Sequence, residues 1–183
     1  MVLISVRGIP GSGKTYLAKK LRGVRCIDTD DVISAAYGEL ARAQRSFSVD
    51  DVLDLAQRNL DATCRKLGPG VTVVVGVTLR VASADSTLFI KMSPRAMRAA
   101  YERTLRREVA KYASVSERLV GRMRVDQVAP YLACMLHVNA FDPRREYAEY
   151  AKMYASAFAF ERDDGARMMS QREIISYVRR LDT

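Results

Sequence analysis

The sequence predicts a parallel α/β fold, in which helices cover both faces of a central sheet. Short β-branched segments alternate along the chain with segments whose apolar residues recur at helical spacing. The run Val71–Val75 shows no polar alternation, which is typical of a strand buried on both faces at the centre of a parallel sheet. A glycine-rich turn, Gly8–Thr15, joins the first strand to the first helix. With 183 residues, 49% of them hydrophobic, the chain fits one domain, residues 1–183, with a substantial core.

The first half of the chain supplies three strands. β-branched residues predict strands at Val2–Val6 and Val24–Ile27, with a helix over Thr15–Arg22 between them. A Ser48–Asp51 capping pattern begins a further helix. The apolar residues of that helix recur at helical spacing: Val52, Leu53, Ala56, Leu60 and Cys64. A Gly-Pro-Gly turn ends the helix, and the central strand follows it.

The second half continues the alternation of strands and helices. We expect a fourth strand at Thr87–Met92 and a helix over Pro94–Tyr112, because a serine followed by proline is a favourable helix start. The apolar stripe of that helix comprises Met97, Tyr101, Leu105, Val109 and Tyr112. Residues 115–154 predict further helices, which we expect to be interrupted at Pro130 and Pro143.

The fifth strand has two candidate positions, Phe158–Phe160 and Ala166–Met169, and the sequence does not choose between them. The segment Ser170–Glu173 then forms a capping box, which begins a last helix with one apolar face. These elements complete the alternation that a parallel sheet requires.

The turn after the first strand matches G-x-x-x-x-G-K-[ST] at every fixed position, between an apolar strand and a helix. Its glycines allow backbone N–H groups to turn toward a phosphate. Lys14 can reach the β- and γ-phosphates of a nucleotide, and the Thr15 hydroxyl is placed to bind Mg²⁺. We therefore expect a site for ATP and Mg²⁺. The expected cofactor-binding residues are Gly8, Pro10, Gly11, Ser12, Gly13, Lys14 and Thr15.

Together with the acidic segment Ile27–Asp31, this loop resembles the nucleoside/nucleotide kinase-like branch of P-loop proteins. That branch includes the adenylate, shikimate and gluconate kinases and the polynucleotide 5′-hydroxyl kinases. The resemblance implies a P-loop three-layer α/β/α sandwich with a five-stranded parallel sheet and an ATP site at the loop. It also implies a mobile helical lid that carries arginines, which we expect around residues 94–154.

Three carboxylates follow the second strand, where ligands of open parallel sheets bind. Shikimate-type kinases carry an Asp-x-Asp pattern in this place. By that resemblance, Asp28 would orient the shell of the Mg²⁺ ion through water, and Asp30 would accept the proton of the acceptor hydroxyl. Asp residues are also common at helix starts, and we expect Asp31 to be a helix cap.

The chain departs from the family pattern at two places. Adenylate kinases carry a phosphate-binding arginine where Ser34 stands here, which weakens a nucleoside monophosphate interpretation. The third strand runs into Gly76–Thr78 without the usual acidic residue, so a carboxylate for Mg²⁺ has to come from Asp28 or Asp30. Thr78 and Arg80 lie near the same edge and could contact the acceptor.

Three arginines, Arg103, Arg106 and Arg107, share one face of the helix after the fourth strand, where the lid of the family begins. An arginine there can offset the charge of the transferring phosphoryl group, and we expect Arg103 and Arg106 to do so. A solvated helix face with Glu102 and Glu108 as partners is the alternative. Further arginines could extend the basic surface: Arg118, Arg122 and Arg124.

Other residues of chemical interest have simpler interpretations as packing residues. His137 is the one histidine of the chain and stands in an apolar stretch, so we expect it to be buried. The tyrosines at helical spacing, Tyr147, Tyr150 and Tyr154, are expected in the core rather than on a base-stacking surface. The three cysteines fit no metal spacing and indicate a reducing compartment, so we expect a cytoplasmic protein without a membrane span.

The net charge of +9, with nine basic and three acidic residues in the segment 95–124, favours a surface that meets a polyanion or a solvated basic face. The sequence therefore predicts a kinase that transfers the γ-phosphoryl group of ATP to a small molecule or nucleotide. A polynucleotide 5′-hydroxyl kinase is one alternative, because a basic groove attracts a nucleic-acid backbone. A nucleotide-binding structural or regulatory protein without phosphotransfer is the other.

Overall fold

The computed structural model describes residues 1–43, 46–112, 120–135 and 141–182, and the sheet lies at its centre. Five parallel strands are arranged in the order β2-β3-β1-β4-β5. The strands are β1 (Val2–Arg7), β2 (Arg25–Asp28), β3 (Val71–Gly76), β4 (Ser86–Ile90) and β5 (Arg167–Met169). The order places β1, and therefore the loop that follows it, in the middle of the sheet.

Helices follow every strand except β3, which leads to β4 without an intervening helix. Within the described residues they are α1 (Lys14–Lys20), α2 (Thr29–Arg42), α3 (Val49–Arg65), α4 (Pro94–Tyr112), α5 (Val125–Met135), α6 (Pro143–Asp163) and α7 (Gln171–Leu181). Reciprocal capping boxes at Ser48 and Ser170 begin α3 and α7, which confirms both predicted helix starts.

Both faces of the sheet are covered. Leu3 of β1 and Val74 of β3 pack against buried residues of α2 and α3. Because side chains alternate along a strand, Ile4 and Val6 point to the opposite face, and both are 0% exposed. The predicted α/β/α sandwich with a five-stranded parallel sheet is thereby confirmed.

The structure decides two of the element boundaries that the sequence left uncertain. The fifth strand is Arg167–Met169, and Phe158–Phe160 lies within α6. The predicted interruption at Pro130 is wrong, because α5 continues through this proline. An interior proline costs a helix about 3 kcal/mol. Val128 and Leu132 on either side of it are buried at 0% and 3% exposure, and each buried side chain of this size returns about 1.5–3 kcal/mol.

The chain divides into two compact units. The first comprises Met1–Gly8, Gly13–Lys91 and Glu161–Thr183, and contains the whole sheet. The second comprises Ile9–Ser12 and Met92–Phe160, and its buried core joins Val109 of α4 to Val128 of α5. Each unit therefore has apolar packing of its own.

Within the described ranges, no helix combines the length and the apolar character that crossing a bilayer requires.

Candidate active site

The phosphate loop follows β1 and has two residues in the left-handed region of backbone conformation. Gly11 has a φ angle of 78° and Gly13 one of 89°, and Gly13 is the N-cap of α1. A side chain at Gly13 would also collide with the amide of Gln171 at the start of α7. The positive φ angle therefore requires the glycine that the motif specifies, whereas the Gln171 amide ends a flexible side chain that could move aside.

Lys14 is the charged group of the loop. Its ammonium Nζ donates a hydrogen bond to the carbonyl oxygen of Gly8 at 2.7 Å, so the side chain folds back along the loop. It lies in the first turn of α1 with the exposed Thr15 beside it. Both residues directly follow Gly13, the N-cap of α1.

The tip of the loop, Ile9–Ser12, belongs to the second unit and packs against its helices. The phenol of Tyr150 on α6 donates a hydrogen bond to the carbonyl oxygen of Pro10 at 2.7 Å. A Cβ atom at Gly11 would stand 2.7 Å from Oγ1 of Thr104 and 2.9 Å from the carbonyl oxygen of Ala100, both on α4. The absence of a side chain at Gly11 thus allows α4 to approach the loop backbone closely.

The bond from Tyr150 to the loop was not predicted, because the spacing of this residue with Tyr147 and Tyr154 indicated core packing alone. Burial raises the pKa of Tyr150 to about 12, although the charge of Arg103 opposes the shift. The phenol therefore keeps its proton at physiological pH and remains a donor to Pro10. All three tyrosines are half-buried and not in the core, with ring contacts to Tyr101 or Phe158. Tyr150 also fixes the loop.

Among the predicted lid arginines, Arg103 is the one that approaches the loop. Its Nη2 atom lies 3.5 Å from the carbonyl oxygen of Gly11, and the side chain is exposed.

Arg106 has partners away from the loop. Its Nε atom donates to the carbonyl oxygen of Met123 at 3.0 Å, and its Nη2 atom lies 3.4 Å from Glu102. Arg107 is 60% exposed beside Glu108, in the solvated position of the alternative interpretation.

Other basic residues of the segment have varied positions. Arg124 makes contacts to both oxygens of Asp126 at 3.1 and 3.0 Å. Arg122 is exposed, whereas Arg118 and His137 lie outside the described residues. Arg98 lies over the ring of Tyr147, with its guanidinium carbon 5.4 Å from the ring centre.

Asp28 ends β2 and is the N-cap of α2. Its Oδ1 atom accepts a hydrogen bond from the backbone N–H of Asp30 at 3.0 Å. The expectation that Asp31 caps this helix is therefore wrong. Asp31 lies in the first turn, where its negative charge interacts favourably with the positive end of the helix dipole. The extended backbone at position 28 makes that residue the one whose side chain can reach the free N–H groups.

The carboxyl group of Asp28 has a raised pKa. Burial is the largest cause, the hydrogen bond from Asp30 opposes it, and the charges of Asp30 and Asp31 add to it. The ammonium of Lys14 acts in the opposite direction, which places Lys14 within electrostatic range of Asp28. Lys14 follows β1 and Asp28 ends β2, so both lie at the carboxyl edge of the sheet, where Asp30 is exposed.

The structure explains why β3 ends without an acidic residue. A Cβ atom on Gly76 would collide with the side chain of Thr29, which is 1% exposed at the start of α2. The close packing of α2 on the strand end thus excludes any side chain at position 76. Thr78 is exposed beyond this point, and Arg80 forms an ion pair with Asp164.

A buried ion pair below the loop was not predicted from the sequence. Arg7, the last residue of β1, is 9% exposed, and its Nε atom lies 2.9 Å from Oε1 of Glu161, which is 5% exposed. Arg7 also donates from Nη2 to the carbonyl oxygen of Val77 at 2.6 Å. Removing one partner of such a pair typically costs about 3–5 kcal/mol, so Arg7 fixes the strand end from which the loop departs. A charged residue at the end of an otherwise apolar central strand was the available signal.

The other candidate residues have ordinary surroundings. Cys26 is half-buried and Cys64 is buried, both as free thiols, and burial raises the pKa of each. Among the described residues, His, Cys, Asp and Glu side chains form no group of three that could hold a metal ion.

No protein-family model and no curated protein sequence matches the chain. Solved structures with a similar fold include a shikimate kinase from Bacteroides thetaiotaomicron, at 23% identity and a TM-score of 0.35, where the match covers 53% of this chain and 61% of that one. The chain thus matches less than two thirds of that kinase's length. Another is TT1252 from Thermus thermophilus, at 17% identity and a TM-score of 0.41, covering 85% of this chain and 96% of that one.

Proposed function

We propose that the chain is an ATP- and Mg²⁺-dependent phosphotransferase that moves the γ-phosphoryl group of ATP to a small-molecule or nucleotide acceptor. The observation that carries the proposal is an intact phosphate loop with Lys14 after β1, together with Asp28 and Asp30 at the end of β2. Strands β1 and β2 flank β3, and ligands of parallel sheets bind beyond the carboxyl ends of the strands.

The residues at this edge suit the cofactor. The loop offers backbone N–H groups to phosphates, and Lys14 can exchange its bond to Gly8 for one to the β- and γ-phosphates. Thr15 and Asp28 are the protein groups that would hold Mg²⁺, which commonly keeps several waters and takes one or two protein oxygens besides the nucleotide. Bound Mg²⁺ would neutralise charge on the phosphates.

In this proposal Asp30 is the group that receives the acceptor. It is exposed one residue into α2, and its backbone is fixed by the hydrogen bond to Asp28. In the proposed reaction its carboxylate orients the acceptor hydroxyl and takes its proton as the new bond to phosphorus forms. Asp28 holds the start of the helix in place and so positions Asp30.

The helical segment around residues 94–154 acts as the lid in this proposal. Support comes from the contact of Arg103 with the carbonyl oxygen of Gly11 and from the packing of α4 against the same glycine. Arg103 is the arginine that can turn toward a transferring phosphoryl group. Arg106 donates hydrogen bonds to the carbonyl oxygen of Met123 and to Glu102, and in this proposal it stabilises the lid.

A protein that binds nucleotide without transfer is the second candidate. It is favoured by the end of β3, where the packing of Thr29 against Gly76 leaves no room for a carboxylate. A polynucleotide 5′-hydroxyl kinase is a third, favoured by the net charge of +9.

The test begins with thermal unfolding in the presence and absence of Mg-ATP. A ligand at 100 times its dissociation constant stabilises a protein by about 2.7 kcal/mol, so a bound nucleotide raises the melting temperature. Transfer from γ-labelled ATP is then measured to nucleosides, nucleotides, sugars, hydroxy acids and 5′-hydroxyl oligonucleotides. Equal melting temperatures would refute the nucleotide site, and stabilisation without transfer to any acceptor would favour the binding protein.

A further inference from the structure

A groove between α2 and α3 lies beyond the acidic segment and has a volume of about 710 Å³. Small-molecule sites typically enclose about 300–1,000 Å³. The apolar and aromatic residues that line it are Ile33, Tyr37, Phe47, Val49, Val52 and Leu53. We call this cavity the α2–α3 groove, and its polar lining residues within the described chain are two serines, Ser34 and Ser48.

Asp30 stands on α2 three residues before Ile33, the first residue of that helix to line the α2–α3 groove. Asp30, Ile33, Ser34 and Tyr37 stand at positions i, i+3, i+4 and i+7 of α2, which places them along one face of the helix. One helical turn advances about 5.4 Å, so the first lining residue stands within one turn of Asp30. A molecule in the groove can therefore present one end to that carboxylate.

The groove exposes apolar surface that a ligand would cover. Val49 is 74% exposed and Tyr37 is 57% exposed, and both line the cavity. The ring of Tyr37 meets the ring of Phe47 edge to face, with centroids 5.4 Å apart and an angle of 82° between planes. This arrangement holds two aromatic surfaces in a fixed corner, which suits the flat face of another ring.

None of the eight described residues that line the groove carries a charge. Burying a charged group among apolar side chains is costly unless a partner neutralises it. Ser34, the position nearest to Asp30 that a phosphate-binding cation could use, offers only a hydroxyl. The lining thus matches a neutral molecule and not a nucleotide or an organic acid.

We infer that the phosphoryl acceptor is a neutral alcohol whose ring-sized apolar body lies in the α2–α3 groove and whose hydroxyl faces Asp30. The inference rests on the proposed phosphotransfer and names its acceptor class. The acceptor oxygen forms a bond to the γ-phosphorus of ATP while the bond from that phosphorus to the β,γ-bridging oxygen breaks. ADP leaves with the electron pair, and the hydroxyl proton passes to the carboxylate of Asp30.

The experiment uses a matched pair of fluorescent probes, 2-naphthalenemethanol and its charged analogue 6-(hydroxymethyl)-2-naphthoate. The chain has no tryptophan, so naphthalene emission is followed without interference from that residue. Each probe is titrated with the full chain, and stabilisation by Mg-ATP is measured separately. We expect saturable binding of the alcohol and at least tenfold weaker binding of the naphthoate.

Two surface variants assign the binding to the groove. Val49→Asp adds a carboxylate in the first turn of α3, where acidic residues are compatible with the helix, and should weaken binding of the alcohol at least fivefold. Ser34→Arg supplies a cation and should reverse the preference in favour of the naphthoate. Ala35→Arg, at an exposed neighbouring position that does not line the groove, should change neither affinity. Circular dichroism and melting temperatures verify that each variant is folded.

The outcomes separate this inference from the proposed function. No binding of the alcohol by a chain that Mg-ATP still stabilises would overturn the acceptor class and leave the nucleotide site intact. Equal or tighter binding of the naphthoate, or binding that both groove variants leave unchanged, would also overturn it. If the wild-type chain dimerises and Val49→Asp is monomeric, the occupant is a second copy and the inference is wrong. Formation of naphthylmethyl phosphate with Mg-ATP would support both proposals together.

Discussion

The two compact units contribute different kinds of residue to the phosphate loop. The first unit supplies charged groups: Lys14, with Asp28 within electrostatic range of it. The second unit holds the tip of the loop through the hydroxyl of Tyr150 and through close packing of α4 against Gly11. The difference is one between charged groups in the first unit and residues that fix the backbone of the loop tip within the second.

The cavities of the two units differ in a related way. The α2–α3 groove has no charged residue in its described lining, whereas a cavity of about 570 Å³ in the second unit is lined by four arginines and three acidic residues. Three of those arginines, Arg98, Arg106 and Arg124, lie within 4 Å of acidic partners. Most of the charge in this second cavity is therefore balanced, and the net charge of +9 does not by itself identify a ligand site.

The largest effect is expected from Lys14→Ala. This change should reduce phosphoryl transfer below detection, because in the proposed reaction the ammonium of Lys14 meets the transferring phosphate. Lys14 is not a core residue, so the melting temperature without ligand should be unchanged. Lys19→Ala, at an exposed position in the last turn of the same helix, is the control and should retain activity. Equal activity of the two variants would contradict the role of Lys14 in the proposed phosphoryl transfer.

The next effect is expected from Asp30→Asn, measured as turnover and as stabilisation by Mg-ATP. Turnover should fall by about a hundred- to ten-thousandfold, the usual contribution of a general base, while the stabilisation by Mg-ATP persists. Asp31→Asn is the matched control, because the structure gives the capping role to Asp28. A larger loss from Asp31→Asn would mean that the proton acceptor is one residue further along α2.

Arg103→Ala should have an intermediate effect. A hydrogen bond to a charged group contributes about 1.5–3 kcal/mol, so kcat should fall about ten- to a hundredfold with nearly unchanged ATP binding. Arg107→Ala, exposed beside Glu108, should have little effect. Arg106→Ala should lower the melting temperature instead, because Arg106 holds the carbonyl of Met123. Loss of kcat from Arg107→Ala alone would show that the wrong arginine has been assigned.

The same arginines distinguish an acceptor in the α2–α3 groove from a polynucleotide. If the arginine face of α4 binds a nucleic-acid backbone, replacing Arg103 and Arg107 together should weaken oligonucleotide binding. The slope of log affinity against log salt should then decrease by about one for each phosphate that the protein no longer neutralises. Oligonucleotide binding that is absent in the wild type would remove the polynucleotide kinase as a candidate.

Local sequence patterns were sufficient for most of the fold. The apolar run Val71–Val75 and the capping boxes at Ser48 and Ser170 depend on neighbouring residues, and all three predictions are confirmed. Pro130 was misjudged because burial of Val128 and Leu132 outweighs its local cost, and that burial depends on residues distant in sequence. Tertiary packing therefore explains why α5 continues through a proline that, by local preference, would end a helix.

The candidate site was less predictable than the fold. The loop residues could be assigned because their motif is contiguous, although their roles stay predictions. Tyr150 and Glu161 could not be assigned, since their partners Pro10 and Arg7 are more than 100 residues away. From the sequence, the lack of an acidic residue at the end of β3 is a departure from the family pattern. In the structure, the Thr29 side chain fills the space that a side chain at Gly76 would need.

The smallest expected effect concerns Asp28 and the stability of the fold. Burial raises the pKa of Asp28 in the folded state, so its carboxylate is less favourable in the folded than in the unfolded chain. Stability should therefore fall as pH rises from the ordinary Asp range, about 4, through the raised value. Asp28→Asn removes this penalty and keeps the cap, because asparagine caps helices about as well as aspartate.

At neutral pH the Asp28→Asn variant, measured by thermal unfolding without ligand, should be at least as stable as the wild type. The difference should vanish below the ordinary Asp pKa, where both side chains are neutral. Stabilisation by Mg-ATP should decrease in the same variant, since position 28 would no longer offer a charged oxygen near the metal. If the variant were less stable at every pH, the carboxyl group of Asp28 would stabilise the start of α2 by more than burial of its charge costs. Undiminished stabilisation by Mg-ATP would remove Asp28 from the magnesium site and leave its role as the residue that positions Asp30.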